Sequence, residues 1–341
     1  MSRIFITGAA GFIGFHLARR LLAAGHEVHG YDGMTDYYDP QLKRDRLALL
    51  EAAAGFAMTE GLLEDRDSLD AAVDGFAPEV IIHLAGQAGV RYSLENPRAY
   101  LDSNVTGSFN VLEAAHRTGV RHLMMASTSS VYGANTQMPF TETDKADTQM
   151  TIYAATKKAT ENIGHVCAHL WQLPVTMFRF FTVYGPWGRP DMAPILFASA
   201  ITEGRPINVF NHGDMYRDFT YVEDLVEGID RLMEAVPPVP ERGLPPVPGD
   251  SLSPVAPFRV VNIGNADKVR LLDFIAALEQ GLGRRAERNM MDMQPGDVPA
   301  TWADVSLLRQ LTGFSPKTDI TTGTAAFAAW FLEYYGHGSA S

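Results

Sequence analysis

Short apolar runs alternate with segments of helical periodicity through the first half of the chain. The apolar runs are typical of strands buried on both faces, and we predict strands at 3–7, 27–31, 56–59, 80–84, 122–127 and 175–181. Apolar positions recur every three to four residues between them, which predicts helices at 12–24, 40–54, 68–75, 97–118 and 151–170. This alternation indicates a doubly wound α/β fold with a mainly parallel sheet.

The pattern changes after residue 184. Residues 185–190 have the composition of a loop, and a helix at 194–203 and a strand at 207–210 follow. The proline-rich stretch 237–258 cannot form a helix or a central strand, so we predict a surface insertion there. A further strand at 259–263 and helices at 271–282, 306–313 and 322–335 complete the prediction, with a frayed tail at 336–341.

Three glycines lie between the first predicted strand and the first predicted helix. Gly8, Gly11 and Gly14 are three residues apart, so the chain can turn sharply and bring backbone N–H groups close to a phosphate. The helix N-terminus adds a partial positive charge at the same place. Asp32 ends the second strand. Its separation along the chain from the glycine turn is close to the spacing of about 20 residues expected for a carboxylate that binds the ribose of a dinucleotide. Strand, turn, helix and acid together predict a dinucleotide site.

Composition narrows the class of protein. The chain has 341 residues, of which 46% are hydrophobic and 20% charged, as in ordinary globular proteins. The net charge of -12 argues against nucleic acid or an anionic membrane as a partner. One cysteine, Cys167, allows no internal disulfide and suits a cytoplasmic location. The histidines and this cysteine show no metal-ligand spacing, so we predict no metal.

Two further patterns could carry chemistry. Thr128, Ser129 and Ser130 follow a buried strand, where hydroxyls could bind a sugar or could equally form a polar turn. Tyr153 and Lys157 are four residues apart and so share one face of a predicted helix. A nearby ammonium lowers a tyrosine pKa, and the phenolate is then a base for oxidising an alcohol. This pair alone is weak, because the same spacing is common on solvated helices.

In this order the motifs resemble the extended short-chain dehydrogenase/reductase family, which includes the nucleotide-sugar epimerases and dehydratases. The resemblance implies NAD as cofactor, a catalytic triad of Thr128, Tyr153 and Lys157, and a smaller C-terminal α/β substrate domain. It implies that NAD contacts Gly8, Gly11, Phe12, Ile13, Gly14, Asp32, Leu84, Ala85, Tyr153 and Lys157. One departure stands at Leu62, where the family usually has an aspartate that contacts adenine. Glu64 or Asp65 could replace it.

Longer stretches, at 86–97, 179–193 and 210–221, resemble the UDP-glucuronate 4-epimerases of this family. The implied reaction is a reversible inversion at C4 through a 4-keto sugar. The resemblance implies that the UDP-sugar contacts Arg91, Ser129, Ser130, Thr182, Arg189 and Arg217, with Arg217 on the diphosphate. An arginine fork suits phosphate oxygens, although a surface ion pair is the alternative for each arginine.

Four rival functions stay open, and the first is another nucleotide-sugar epimerase of the same family. Decarboxylases and 4,6-dehydratases of the family share the first oxidation. The dehydratases carry an Asp-Glu pair where Ser129 and Ser130 stand here, and the decarboxylases carry a glutamate at the position of Ser130. Hydroxyls are poor acids and bases at neutral pH and good donors to a carboxylate, which favours epimerisation without loss of CO₂. A non-catalytic NAD-sensing regulator is the fourth rival, since fold does not fix function.

The expected organisation follows the family. Residues 1–182 are predicted to form the NAD-binding Rossmann domain, to which segments near 217–235 and 259–265 return. Residues 183–341 are predicted to form mainly the substrate domain, with the insertion at 237–258. The resemblance also implies a homodimer formed through the helices at 97–118 and 151–170.

Overall fold

A seven-stranded parallel sheet lies at the centre of the computed structural model, which describes residues 1–240, 248–293 and 298–336. The strands are β1 Arg3–Thr7, β2 Glu27–Asp32, β3 Phe56–Glu60, β4 Val80–His83, β5 His122–Thr128, β6 Val175–Phe180, β7 Thr182–Tyr184, β8 Ile207–Val209, β9 Tyr216–Arg217, β10 Phe219–Tyr221, β11 Phe258–Ile263, β12 Val269–Arg270, β13 Arg288–Met290 and β14 Ala300–Thr301. The order in the central sheet is β3-β2-β1-β4-β5-β6-β11, with every neighbouring pair parallel. The predicted doubly wound fold is confirmed.

Helices cover both faces of this sheet, and further helices lie in the C-terminal part. They are α1 Phe12–Ala23, α2 Gln41–Glu51, α3 Arg66–Phe76, α4 Tyr92–Glu95, α5 Pro97–Tyr100, α6 Ser108–Thr118, α7 Ile152–Trp171, α8 Ala193–Thr202, α9 Val222–Leu232, α10 Leu271–Leu282, α11 Ser306–Thr312 and α12 Ile320–Tyr334. A π-helical segment, Leu101–Gly107, joins α5 to α6, and single 3-10 turns lie at Ser129–Tyr132 and Phe210–Gly213. No helix in the described ranges is long and apolar enough to cross a membrane.

The core follows this layering. One apolar cluster packs α1 and α9 against the sheet, and a second packs α3, α6 and α7 against its other face. A third cluster joins α8, α10 and α12 on the C-terminal side. The helices of these clusters therefore bury their apolar stripes against neighbouring elements, which is where most helix stability in proteins arises.

Several elements differ from the prediction, among them α9, the segment 97–118 and the short strands after β6. Helix α9 was not predicted, although its apolar positions from Val222 to Leu232 recur at helical spacing and pack against α1. The helix predicted at 97–118 has the predicted bounds, but its middle, Leu101–Gly107, is π-helical. Strand β7, one residue beyond β6, was also missed, and it leaves the central sheet to pair with β10.

The proline-rich stretch is described only in part. Residues 241–247 of the predicted insertion, and 337–341 of the predicted tail, lie outside the described residues. The part before β11 is tied to that strand by a buried ion pair between Asp250 and Arg259, with a 2.9 Å contact.

Candidate active site

The glycine turn lies between β1 and α1 at the carboxyl edge of the sheet. Gly8 has a φ of +75°, and a Cβ added there would lie 2.7 Å from the backbone N of Ala85. A Cβ added to Gly14 would lie 2.0 Å from the carbonyl oxygen of Gly8. Only glycine allows this approach, and the first N–H groups of α1 have no partner within their helix. The turn therefore forms a cradle that suits a phosphate group.

Asp32 ends β2 beside this cradle. Its carboxylate accepts hydrogen bonds from the backbone N–H groups of Ala10, at 3.1 Å, and Met34, at 3.0 Å. Burial raises the pKa of Asp32, while the charge of Lys43 and the two N–H groups act in the opposite direction. The Asp32 carboxylate thus stands ready to accept hydrogen bonds from a ligand at the end of β2.

The glycine turn and the end of β2 open onto a cavity of about 570 Å³, called here the larger cavity. It is lined by every residue that the sequence predicted to contact NAD: Gly8, Gly11, Phe12, Ile13, Gly14, Asp32, Leu84, Ala85, Tyr153 and Lys157. Glu64 also lines it, whereas the Asp65 carboxylate accepts from the N–H of Ser68 and caps α3. Of the two acids that could replace the missing aspartate, only Glu64 lies in the cavity wall.

A second cavity, of about 370 Å³ and called here the smaller cavity, adjoins the first. Five of the predicted sugar residues line it, namely Ser129, Ser130, Thr182, Arg189 and Arg217. Thr128, Tyr153 and Arg189 line both cavities and so lie where the two meet. Arg91 lines neither of these two cavities, and its guanidinium carbon lies 4.9 Å from the centre of the Phe210 ring.

Tyr153 and Lys157 are placed by α7, which Thr151 caps through a hydrogen bond from the N–H of Ala154, at 3.2 Å. The buried Lys157 ammonium donates to the carbonyl of Ala126, at 3.1 Å, at the end of β5. Burial lowers the pKa of Lys157 to about 8. The helix cap and the strand end together fix this pair at the cavity wall.

Burial raises the pKa of the Tyr153 phenol. The Thr128 hydroxyl and the charge of Arg189 act against this, in that order of size. We expected Lys157 to lower this pKa, but Arg189 is the cation that acts on Tyr153 among the described groups. The difference arises from the tertiary structure. The Lys157 ammonium donates to the carbonyl of Ala126, whereas Arg189 reaches Tyr153 from a segment that is distant in sequence.

Sequence reasoning missed the ion-pair partner of Arg189, and it missed the tyrosine that binds that partner. Asp191 binds the Arg189 guanidinium through both carboxylate oxygens and also accepts from the Tyr37 hydroxyl, at 3.0 Å. The sequence did contain a signal for Asp191, because this acid lies two residues after Arg189 within the stretch 179–193 that resembles the epimerases. Tyr37 comes from the loop after β2, so no local pattern could have indicated it.

Comparison with known proteins gives these features a family. The sequence pattern of the NAD dependent epimerase/dehydratase family matches residues 4–242. A probable UDP-glucuronate 4-epimerase of Rhizobium meliloti (strain 1021) is 54% identical over 333 residues, which is 98% of both chains. UDP-glucuronate 4-epimerase 4 of Arabidopsis thaliana is 43% identical over 97% of this chain and 76% of its own length.

Solved structures agree. The crystal structure of UDP-glucuronic acid 4-epimerase from Bacillus cereus in complex with UDP-glucuronic acid and NAD is 30% identical, with a TM-score of 0.86. The match covers 98% of this chain and all of the Bacillus chain. The family resemblance drawn from the motifs is confirmed, and the chain belongs to the NAD-dependent epimerase/dehydratase family.

Proposed function

We propose that this protein is an NAD-dependent isomerase that interconverts UDP-glucuronate and UDP-galacturonate. The observation that carries the proposal is the position of Tyr153, in the wall where the larger and smaller cavities meet. A base at that point reaches a group held in either cavity. The long matches to UDP-glucuronate 4-epimerases support the same substrate class.

The larger cavity fits NAD. The cradle that a Cβ would fill at Gly8 and Gly14 suits the pyrophosphate, and Asp32 suits the ribose hydroxyls. When bound, NAD supplies a reversible hydride acceptor. A 2′-phosphate would meet the Asp32 carboxylate, so NAD is the cofactor and NADP is rejected. Analysis of the nucleotide released from denatured protein tests this, and finding NADP would contradict it.

Tyr153, Lys157 and Thr128 divide the proton chemistry among them. Tyr153, as phenolate, takes the proton from the C4 hydroxyl of the sugar and returns it at the end of the cycle. The Lys157 ammonium holds the nicotinamide ribose, and the Thr128 hydroxyl orients the C4 oxygen. Thr128 lies close enough to Tyr153 to lower the pKa of the phenol, in keeping with this role.

The smaller cavity suits the uronic acid and the diphosphate. Thr128, Ser129, Ser130 and Thr182 offer hydroxyl donors to the sugar carboxylate. A carboxylate fixed near the plane of the 4-keto group resists decarboxylation while the sugar turns over. Arg189 and Arg217 supply cationic forks for the sugar nucleotide, with Arg217 on the diphosphate. Arg91, outside the cavity walls, is the weakest of the proposed sugar contacts.

The organisation of the molecule is part of the proposal. Residues 1–182, with α9 and β11, form the NAD-binding part, and residues from 183 onward carry Arg189 and Arg217 to the UDP-sugar. A homodimer formed through α6 and α7 is supported by the exposed apolar side chains of Phe109, Val166 and Leu170 on these helices. A single buried cysteine, Cys167, accords with a cytoplasmic location.

One incubation tests the activity. Purified protein is mixed with UDP-glucuronate, and the nucleotide sugars are separated over time. UDP-galacturonate should accumulate to an equilibrium mixture with little UDP-pentose. Mainly UDP-pentose and CO₂ would indicate a decarboxylase, and a dehydrated keto sugar would indicate a dehydratase. No turnover of any nucleotide sugar would favour the regulator.

A further inference from the structure

Arg46 of α2 is fully buried, and its guanidinium is held by oxygen atoms that carry no formal charge. Nη1 donates to the carbonyl of Ala10 and to the hydroxyl of Tyr38, both at 3.0 Å. Nη2 donates to the carbonyls of Trp187, at 2.6 Å, and Gly188, at 3.1 Å. Among the described residues, no carboxylate lies within ion-pair distance of this guanidinium.

The Nη1 side of this fork holds the glycine turn. Ala10 lies between Gly8 and Gly11, and Arg46 binds its carbonyl while Asp32 binds its N–H. Both polar groups of this residue are therefore fixed by buried charged side chains from β2 and α2. The shape of the phosphate cradle depends on Arg46 as well as on its own glycines.

The Nη2 side holds the segment that leads to the smaller cavity. Trp187 and Gly188 immediately precede Arg189, which lines both cavities. The planar Arg46 guanidinium thus bonds two segments at once. One is the glycine turn, which is proposed to bind NAD, and the other is segment 187–189, which carries Arg189. A movement of either segment changes the hydrogen bonds of the other.

Arginine suits this position for a physical reason. Its planar fork presents donors in two directions at once, whereas lysine places a single point charge on one side. The buried Nε has no partner among the described residues, so the arrangement carries an unpaired donor as well as an unpaired charge. Such a group is unfavourable in a core unless the bonds it makes elsewhere offset the cost.

We propose that Arg46 is a positioning residue that couples NAD retention to UDP-sugar binding, by tying the glycine turn to the segment 187–189. The proposal rests on the proposed function for the identity of the two ligands. It assigns Arg46 no contact with either ligand. A ligand in the smaller cavity restricts the motion of segment 187–189. Through the hydrogen bonds of Arg46, this also restricts the motion of the glycine turn that holds NAD.

The test measures release of NAD from the holoenzyme, with and without saturating UDP. UDP occupies the nucleotide part of the sugar site and cannot react. We expect UDP to slow release from the wild type by about ten-fold, within the usual range of coupling between two sites. Arg46→Met should release NAD faster than the wild type, at a rate that UDP no longer changes. Arg46→Lys, which retains the charge but not the fork, should show an intermediate UDP effect.

Arg44→Met is the matched control, because Arg44 is an exposed arginine on the same helix. It should keep the wild-type UDP effect. Segment 187–189 and the residue before it keep other contacts in the Arg46 variants. The centres of the Trp187 and Phe15 rings are 5.5 Å apart, and His16 hydrogen-bonds to the Pro186 carbonyl, at 2.9 Å. A thermal melt confirms that each variant is folded, and Arg46→Lys carries the test if Arg46→Met is not.

Two outcomes would overturn the proposal. One is a folded Arg46 variant that keeps the full UDP effect while only its melting temperature falls, which would make Arg46 purely structural. The other is a wild type in which UDP leaves NAD release unchanged. Neither result depends on turnover, so a failure of the proposed activity would be seen separately, in the incubation with UDP-glucuronate.

Discussion

Asp191 binds Arg189 through two hydrogen bonds, of 3.0 Å from Nε and 2.6 Å from Nη2. Arg189 lines both cavities, and its charge opposes the rise in the Tyr153 pKa that burial causes. The carboxylate of Asp191 therefore balances the cation that acts on the proposed base. Charge-assisted bidentate pairs of this kind also fix the orientation of the guanidinium.

Asp191→Asn should move the acidic limb of the pH profile of kcat/KM to lower pH. The substitution removes the negative charge that balances Arg189, so more of its positive charge acts on Tyr153 and favours the phenolate. Tyr37→Phe is the control, because it removes only the hydroxyl that donates to Asp191 and leaves the ion pair. A limb that stays in place in Asp191→Asn, or moves to higher pH, would show that Arg189 does not tune Tyr153.

Tyr153→Phe should lower kcat by about 10²-fold or more, because it removes the proton acceptor and keeps the ring. The variant should still contain NAD after purification and melt close to the wild type. Tyr335→Phe, at a partly exposed position one residue after the end of α12, should retain activity. Turnover near the wild-type rate in Tyr153→Phe would mean that another group is the base.

Thr182→Ala should raise the fraction of UDP-pentose formed from UDP-glucuronate, or slow epimerisation. It removes one of the hydroxyls of the smaller cavity that are proposed to hold the sugar carboxylate. Product ratios after chromatographic separation give the measurement. Thr321→Ala, an exposed change on α12, should leave the ratio as in the wild type. An unchanged ratio and rate in Thr182→Ala would remove Thr182 from the carboxylate site.

Glu142→Gln should be more favourable to stability, relative to the wild type, at pH 8 than at pH 5. Burial raises the pKa of Glu142 to about 7, against 4.5 for an ordinary glutamate. The folded protein therefore keeps a proton on Glu142 that the unfolded chain loses, and this contribution to stability is full below pH 4.5 and lost as the pH rises through 7. Glutamine stays neutral and its carbonyl can still accept from the N–H of Asn262, at 2.8 Å in the wild type.

Urea unfolding at the two pH values checks this. The free energy of unfolding of the variant minus that of the wild type should be larger at pH 8 than at pH 5, by about 2 to 3 kcal/mol. An equal difference at both pH values would show that Glu142 ionises at its ordinary pKa in the folded protein.

The sequence determined the local features of this protein. The first strand, the glycine turn and the acid at the end of β2 could be predicted, because each depends on residues that are neighbours along the chain and, in the turn, on conformations that only glycine adopts. The Tyr153–Lys157 pair could be predicted from helical spacing alone. Whether these groups act as proposed stays a prediction for the experiments above.

Only the tertiary structure determined the features that depend on contacts between residues distant in sequence. Helix α9 packs on α1, and β11 adds a seventh strand to the sheet beside β6, across more than seventy residues of chain. The pairing of Tyr37 with Asp191, and of Arg46 with Trp187, joins segments that are distant in sequence. No period or local motif encodes such pairs, because a hydrogen bond between distant segments exists only once the sheet and its helices have brought them together.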